Sequence, residues 1–235
     1  MNNFVKKALR GRKVLLGRDF YQSRQVKCAR LTFGNRFAEW TVCPDHLDEN
    51  SVIYSFGVGE DISFDLELME QFRLHIHAFD PSPRSIEWIQ LQNLREEFHF
   101  HPFGIAGSDG PRMFSEPDEP GIHSLKMIRA REGKENGGSA LELPVKRLST
   151  IMQELRHDRI DILKMDVEGT EYEVIEDLIG SSIPVSQVLI EFHHRFDHIG
   201  TGMTRQAIAS LNGAGYRIFH VSASGEEFSF IKIHA

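Results

Sequence analysis

Cysteine is almost missing from this chain of 235 residues, with Cys28 and Cys43 alone, so the fold is not one stapled by disulfides. The same scarcity reads as a reducing compartment, and a cytoplasmic location is expected. Long apolar runs are missing too: no segment approaches the ~20 apolar residues that a membrane span requires. The first twenty residues, MNNFVKKALRGRKVLLGRDF, are basic but broken by charge, and read as a helix capping the domain rather than an anchor. Positive charge is in deficit, 27 Lys and Arg against 34 Asp and Glu for a net charge of −7. That balance argues against nucleic acid or an anionic membrane as partner. Repeats and low-complexity tracts are also lacking.

What is present is an apolar content of 40%, enough for one continuous core in a single large α/β domain. Residues 52–56 read as a buried strand. The turn Gly57-Val58-Gly59 follows, then a helix with Ile62, Leu66, Met69 and Phe72 on one face. Residues 75–79 form a second strand ending at Asp80; Pro81 and Pro83 open a helix near 85–95, and residues 98–103 form a third strand. Residues 106–140 are rich in Gly, Pro, Ser and charge, and predict loops or a lid. A short extended piece at 141–145 and a helix at 148–155 lead to a fourth strand at 160–165. A fifth strand spans 185–192, a helix 203–211, and strands at 216–221 and 227–233 close the chain as a hairpin.

Strands alternating with helices imply a doubly wound, mostly parallel seven-stranded sheet, and the closing hairpin implies one antiparallel strand. This is the Rossmann-like architecture of class I methyltransferases. Residues 51–235 are taken as that domain. Residues 1–50 are taken as an N-terminal helix and hairpin, turning at Gly34-Asn35, that cover the site; Phe37 and Trp40 are candidate walls, though packing as core is favoured for them.

The segment DILKMDVEGTEYEVI, 161–175, carries the most chemistry. An apolar strand delivers Asp166 and Glu168 to its carboxyl end, where open α/β sheets bind ligands. Gly169 lets the backbone turn before a helix that buries Tyr172, Ile175 and Ile179. Together YSFGVGEDISFD, HAFDPSP, LKMDVEGTEYEV and LIEFHH resemble the FkbM family of methyltransferases, over roughly residues 52–194. The resemblance implies S-adenosylmethionine as cofactor and methyl transfer, usually to a hydroxyl oxygen of a sugar or natural product.

Gly57 and Gly59 remove side chains where a strand turns into a helix, which suits close approach of a ligand to backbone and helix N-terminus. Where methyltransferases usually carry an acid and a third glycine, this chain has Ser55 and Asp61, and Glu60 or Asp61 is the candidate replacement for the missing charge. Asp80, about 20 residues after the turn, is placed to accept hydrogen bonds from two ribose hydroxyls. Phe103 and Gly104 are candidates to pack on adenine, with Ser108 and Asp109 reaching its exocyclic amine. The glycine turn and Asp80 would equally serve NAD, so an oxidoreductase stands as an alternative. A noncatalytic nucleoside-cofactor-binding protein with this fold is the other.

Side chains alternate along strands, so Asp166 and Glu168 share one face and Glu191 and His193 share one on the neighbouring strand. Methylation of oxygen removes a proton from the acceptor, and His193 or a carboxylate, Asp166 or Glu191, is the candidate base. Two carboxylates and a histidine also suit a hard divalent ion, but the metal is not favoured. Glu171 reads as a charge favouring its helix N-terminus, and the plainer alternative for Glu191 is pairing with Lys164 or Arg195. His194 points away from this face. Glu168, His123 and Ser124 are the candidate substrate contacts, with Lys126, Arg129 and Arg131 nearby in the long connection. The acceptor is expected to be a small molecule or carbohydrate; its identity and the oligomeric state are not written in the sequence.

Overall fold

The computed structural model describes residues 3–17, 19–36, 38–115, 126–127, 140–196 and 198–233. The candidate residues Phe37, His123, Ser124, Arg129 and Arg131 lie outside these. The chain opens with α1 (Asn3–Leu15) and a hairpin of β1 (Leu31–Phe33) and β2 (Trp40–Val42). The alternation then begins: β3 (Ile53–Phe56), α2 (Ser63–Phe72), β4 (Ile76–Phe79), α3 (Pro83–Gln90) and β5 (Phe98–His101). Four strands follow, β6 (Gly104–Ile105), β7 (Gly110–Ser115), β8 (Lys126–Met127) and β9 (Ala140–Lys146). After them come α4 (Leu148–Leu155), β10 (Ile160–Met165), α5 (Glu171–Gly180), β11 (Val185–Glu191), α6 (Gly200–Gly213), β12 (Tyr216–Val221) and β13 (Glu227–Lys232).

Seven of these strands form one sheet in the order β12-β13-β11-β10-β3-β4-β5. Only β13 runs against its neighbours, β11 and β12. The strand order reverses between β3 and β10, which are adjacent and parallel, and that is where a doubly wound sheet opens a crevice at its carboxyl edge. All four residues of β3 are buried, and five of the six in β10, as expected of strands covered on both faces. Tyr54, Phe56, Phe79, Leu163 and Met165 face one core, shared with α4, α5 and α6. Ile53, Ile76, Ala78, Ile162 and Leu189 face the other, shared with α2 and the hairpin. Phe56 and Phe79 stack 4.3 Å apart between centroids beneath the crevice.

The hairpin does more than cover. Gln187 of β11 donates to the Cys43 carbonyl and accepts from the Cys43 amide, each at 2.8 Å, and Ser229 donates to the Thr41 carbonyl at 2.7 Å. These bonds fasten residues 41–43 over the sheet face that α2 leaves open.

Three expectations need correction. Residues 106–140 are not all loop: β7 pairs antiparallel with β9 from Gly110↔Val145 to Ser115↔Ala140, making a second sheet in the order β6-β9-β7-β8. The buried face of α2 is Phe64, Asp65, Leu68 and Met69, while Leu66 is 37% exposed, because the helix rolls to cover β3 and the hairpin. The third strand stops at His101 and α3 at Gln90, short of the bounds drawn from composition.

Candidate functional site

A cavity of about 410 Å³ lies at the carboxyl edge over β3, β4 and β10, within the size range of small-molecule sites. Its two ends are built differently. At one, Gly57 and Gly59 hold φ of +82° and +57°. A Cβ on Gly57 would run into the carbonyl oxygen of Asp166, so that glycine serves the close approach of β3 and β10 rather than of a ligand. Beside Gly59 there is open space. Asp80 accepts from the Gly59 amide at 2.9 Å, and from the amide and hydroxyl of Ser82 at 2.8 and 2.6 Å. The carboxylate is thus fixed at the mouth of the glycine turn, and Ser82 also caps α3.

Lys164, which the sequence reading treated as a partner for Glu191, is buried and lines the cavity. Its ammonium donates to the carbonyls of Phe56 and Gly57 at 3.1 and 2.7 Å and lies 5.3 Å from the centroid of Trp40. It stitches β10 to the glycine turn. Trp40 both packs in the core and lines the cavity.

At the other end, Asp166, Glu168 and Glu191 line the cavity beside His193. His193 Nε2 lies 3.6 Å from Asp166 Oδ1 and 3.3 Å from Glu168 Oε2, and Nδ1 lies 3.2 Å from Glu171 Oε1. Glu171 is wholly buried and is more than a helix-dipole charge: it accepts from the amides of Gly169 and His193, at 2.8 and 2.9 Å, as well as from the ring. Those bonds fix the turn in which Glu168 and Gly169 both take positive φ, +51° and +107°. A left-handed glutamate at a cavity wall is strain that this surrounding network maintains.

Burial alone would strip the proton from His193, but Glu171, then Glu168 and Asp166, outweigh it and raise the pKa to about 10. That direction favours the imidazolium at neutral pH. Glu191 moves the opposite way in charge: burial and the nearby Asp166 push its pKa up to about 9, leaving it protonated. Neither expected cation neutralises it, since Lys164 goes to the two carbonyls and Arg195 to Asp19, Ser224 and Glu226. Asp166, Glu191 and His193 each offer a donor atom within 4.8 Å of the others. A cation held by all three would have to displace the His193 proton.

Several candidate residues fall away from the cavity. Ser55 is fully buried and faces Asp65 below the cavity floor. Phe103, Ser108 and Asp109 do not line it; Gly104 and Ile105 do, with Val145 and Phe114 from the second sheet. Asp109 instead accepts from the Arg147 amide and the Thr150 hydroxyl, at 2.8 and 2.9 Å, securing the start of α4. The Lys146 ammonium sits 4.3 Å from the centroid of Phe103. Glu60 and Asp61 both line the cavity, but Glu60 pairs with Arg84, and Asp61 accepts from the Ser63 amide and from Asn35. His194 is buried off this face, as expected.

The residues present suit a nucleoside cofactor: a fixed carboxylate beside a glycine turn, an apolar wall of Ile105, Val145 and Phe114, and an acidic far end. The reversed strand order with its single antiparallel strand and the cavity at the switch point define a Rossmann-like methyltransferase fold. The family model of the methyltransferase FkbM domain matches residues 42–218, and the chain belongs to that family. Membership implies S-adenosylmethionine-dependent methylation.

Among curated proteins, the probable methyltransferase-like protein 24 of Rattus norvegicus is 26% identical over 227 residues, covering 86% of this chain and 55% of that protein. Its Homo sapiens counterpart is 27% identical over 164 residues, 66% of this chain and 38% of that protein. The chain thus spans about half, or less, of the length of these relatives. Among solved structures, a Methanococcus jannaschii fibrillarin pre-rRNA processing protein is 12% identical with a TM-score of 0.46, over 79% of this chain and 68% of that one. No described helix is long and apolar enough to cross a membrane.

Proposed function

We propose that this chain transfers a methyl group from S-adenosylmethionine to a hydroxyl oxygen of a small molecule or carbohydrate, with Asp166 as the proton acceptor. The observation that carries the reading is that one cavity joins Asp80, at the glycine turn, to Asp166, beside the charged His193. When bound, the cofactor supplies an electrophilic methyl group. Asp80 would take the ribose hydroxyls, and Ile105, Val145 and Phe114 the adenine face.

Among the candidate bases Asp166, Glu191 and His193, Asp166 is the one left free to take a proton. His193 already carries its proton, Glu191 is neutral, and Glu171 is closed off by its three donors. The imidazolium holds the carboxylates in position and offsets their mutual repulsion, and the acceptor oxygen is presented to the methyl group in a fixed orientation. The proposal uses no metal ion, since a cation shared by Asp166, Glu191 and His193 would have to displace the His193 proton.

Calorimetry with S-adenosylmethionine and S-adenosylhomocysteine tests the reading. Saturable binding of both is expected, weakened about tenfold to a hundredfold in Asp80→Ala, the loss of hydrogen bonds to a charged group. Absence of binding to either at millimolar concentration would sink the idea.

A further inference from the structure

A second cavity, of about 960 Å³, opens between α1 and the start of α6, and shares no lining residue with the first. Among the described residues, four basic side chains line it, Arg10, Arg12, Lys13 and Arg195, against one acid, Glu226. That is a local reversal of the chain's net charge of −7. Arg10 and Arg195 are held in place from behind. Arg195 donates to Asp19 and to the Ser224 carbonyl, each at 2.6 Å, and pairs with Glu226, while Arg10 donates to the Phe20 carbonyl at 3.0 Å. The buried Nε of each guanidinium makes no hydrogen bond, and that of Arg10 lies 3.9 Å from Asp19 Oδ1.

Two further features point to the same ligand. Gly200 and Thr201, the first residues of the 14-residue α6, line the cavity, and Ile199 at the N-cap has no side-chain oxygen to cap the helix. A helix N-terminus attracts anions through its amides and dipole. His194, only 2% exposed, forms part of the wall; its Nδ1 has no partner, and its Nε2 lies 3.3 Å from Asp19 Oδ1 without making a hydrogen bond. The position of Arg12 and Lys13 in the last turn of α1 suits the dipole of that helix, but it does not account for Arg10 and Arg195 facing the same space.

We infer that this cavity is an oxyanion-binding site for a phosphate group. Arginine, lysine and a helix N-terminus together are the donor set that phosphate recognition uses, and guanidiniums fixed in advance lose little freedom on binding. The cavity flanks the methyl-transfer centre through the chain itself: His193 belongs to the acid cluster and His194 to the basic cavity, and Glu227 lines the first cavity while Glu226 lines the second. The backbone between these neighbours separates the two cavities, and the anion site does not rest on the proposed function.

The test is calorimetry on the full chain at constant ionic strength, titrating inorganic phosphate and, separately, glucose 6-phosphate. Saturable binding of both is expected, weakened at least about tenfold in the double variant Arg12→Ala/Lys13→Ala and unchanged in Arg95→Ala, an exposed arginine after α3. The double variant touches no buried group, so folding is preserved, and its thermal transition confirms that independently. No saturable phosphate binding, or equal weakening in Arg95→Ala, overturns the site. S-adenosylhomocysteine titrated into the same samples separates the two proposals: binding retained in the double variant places the loss in this cavity. Failure to bind S-adenosylhomocysteine, with phosphate binding intact, removes the methyl-transfer reading and leaves the anion site standing.

Discussion

The two ends of the main cavity are made from the same sheet edge by opposite means. The Asp80 end is almost all backbone: a glycine turn, two amides and a hydroxyl that fix one carboxylate, and apolar walls. Its polar part lies between Gly57 and Ser82, and the second sheet supplies the walls. The Asp166 end is made of charges whose states depend on each other, with His193 raised against its burial by Glu171, Glu168 and Asp166, and Glu191 raised by burial and Asp166. A pre-formed end suits an invariant nucleoside, and a charge-coupled end suits proton movement. Substitutions should therefore act on binding at the first end, and on catalysis and pH dependence at the second.

The largest effect should come from Asp166→Asn, which removes the proton acceptor with little change of shape. Methyl transfer is expected to fall about 10²–10⁴-fold while S-adenosylhomocysteine affinity stays near wild type. Equal loss of both would erase the distinction between the two ends. Glu171→Gln comes next, because it breaks a fully buried charge pair. Unfolding followed by circular dichroism should show a loss of about 3 kcal/mol, a Tm drop on the order of 10 °C. Asp80→Ala should weaken the cofactor by about 1.5–3 kcal/mol, and, by leaving the Gly59 and Ser82 amides without their acceptor, also lower Tm, though with no effect on the pH dependence of the far end.

Smaller and pH-dependent is Glu191→Gln. The folded protein keeps a proton on Glu191 up to about pH 9 that the unfolded chain releases above the ordinary carboxyl value of 4.5, so this group costs stability increasingly between those limits. Denaturant titrations should find the variant gaining on wild type as pH rises through that window. His193 carries the opposite kind of contribution: its stabilisation is complete below its ordinary value of 6.5 and fades as pH rises through about 10. The smallest effect expected is none. Removing divalent ions with EDTA should leave activity unchanged, and a requirement for magnesium would restore the metal reading of Asp166, Glu191 and His193.

The glycine turn and Asp80 of the first end were legible in the sequence because they are local. They follow strands whose apolar runs are plain, and the mostly parallel sheet followed from the alternation of strand and helix. The second end was legible only in part. Asp166, Glu191 and His193 are brought together as strand alternation predicts, but Glu171 was read as a dipole charge, since its partner His193 lies 22 residues away and nothing local announces it. For the same reason Ser108 and Asp109 were misplaced: Asp109 is bound to α4, 38 and 41 residues on, and the β7–β9 pairing that puts it there joins segments without a strong strand pattern. Ser55, next to the glycine turn, faces into the core because its strand is buried on both sides.

The central claim is that His193 is held as a cation by Glu171 so that Asp166 is left to take the proton. Nitrogen-detected NMR of the His193 ring from pH 6 to pH 11 measures this directly. The account predicts an imidazolium throughout the neutral range that titrates near pH 10 in the wild type and well below that in Glu171→Gln. A neutral His193 ring at pH 7 in the wild type would contradict it.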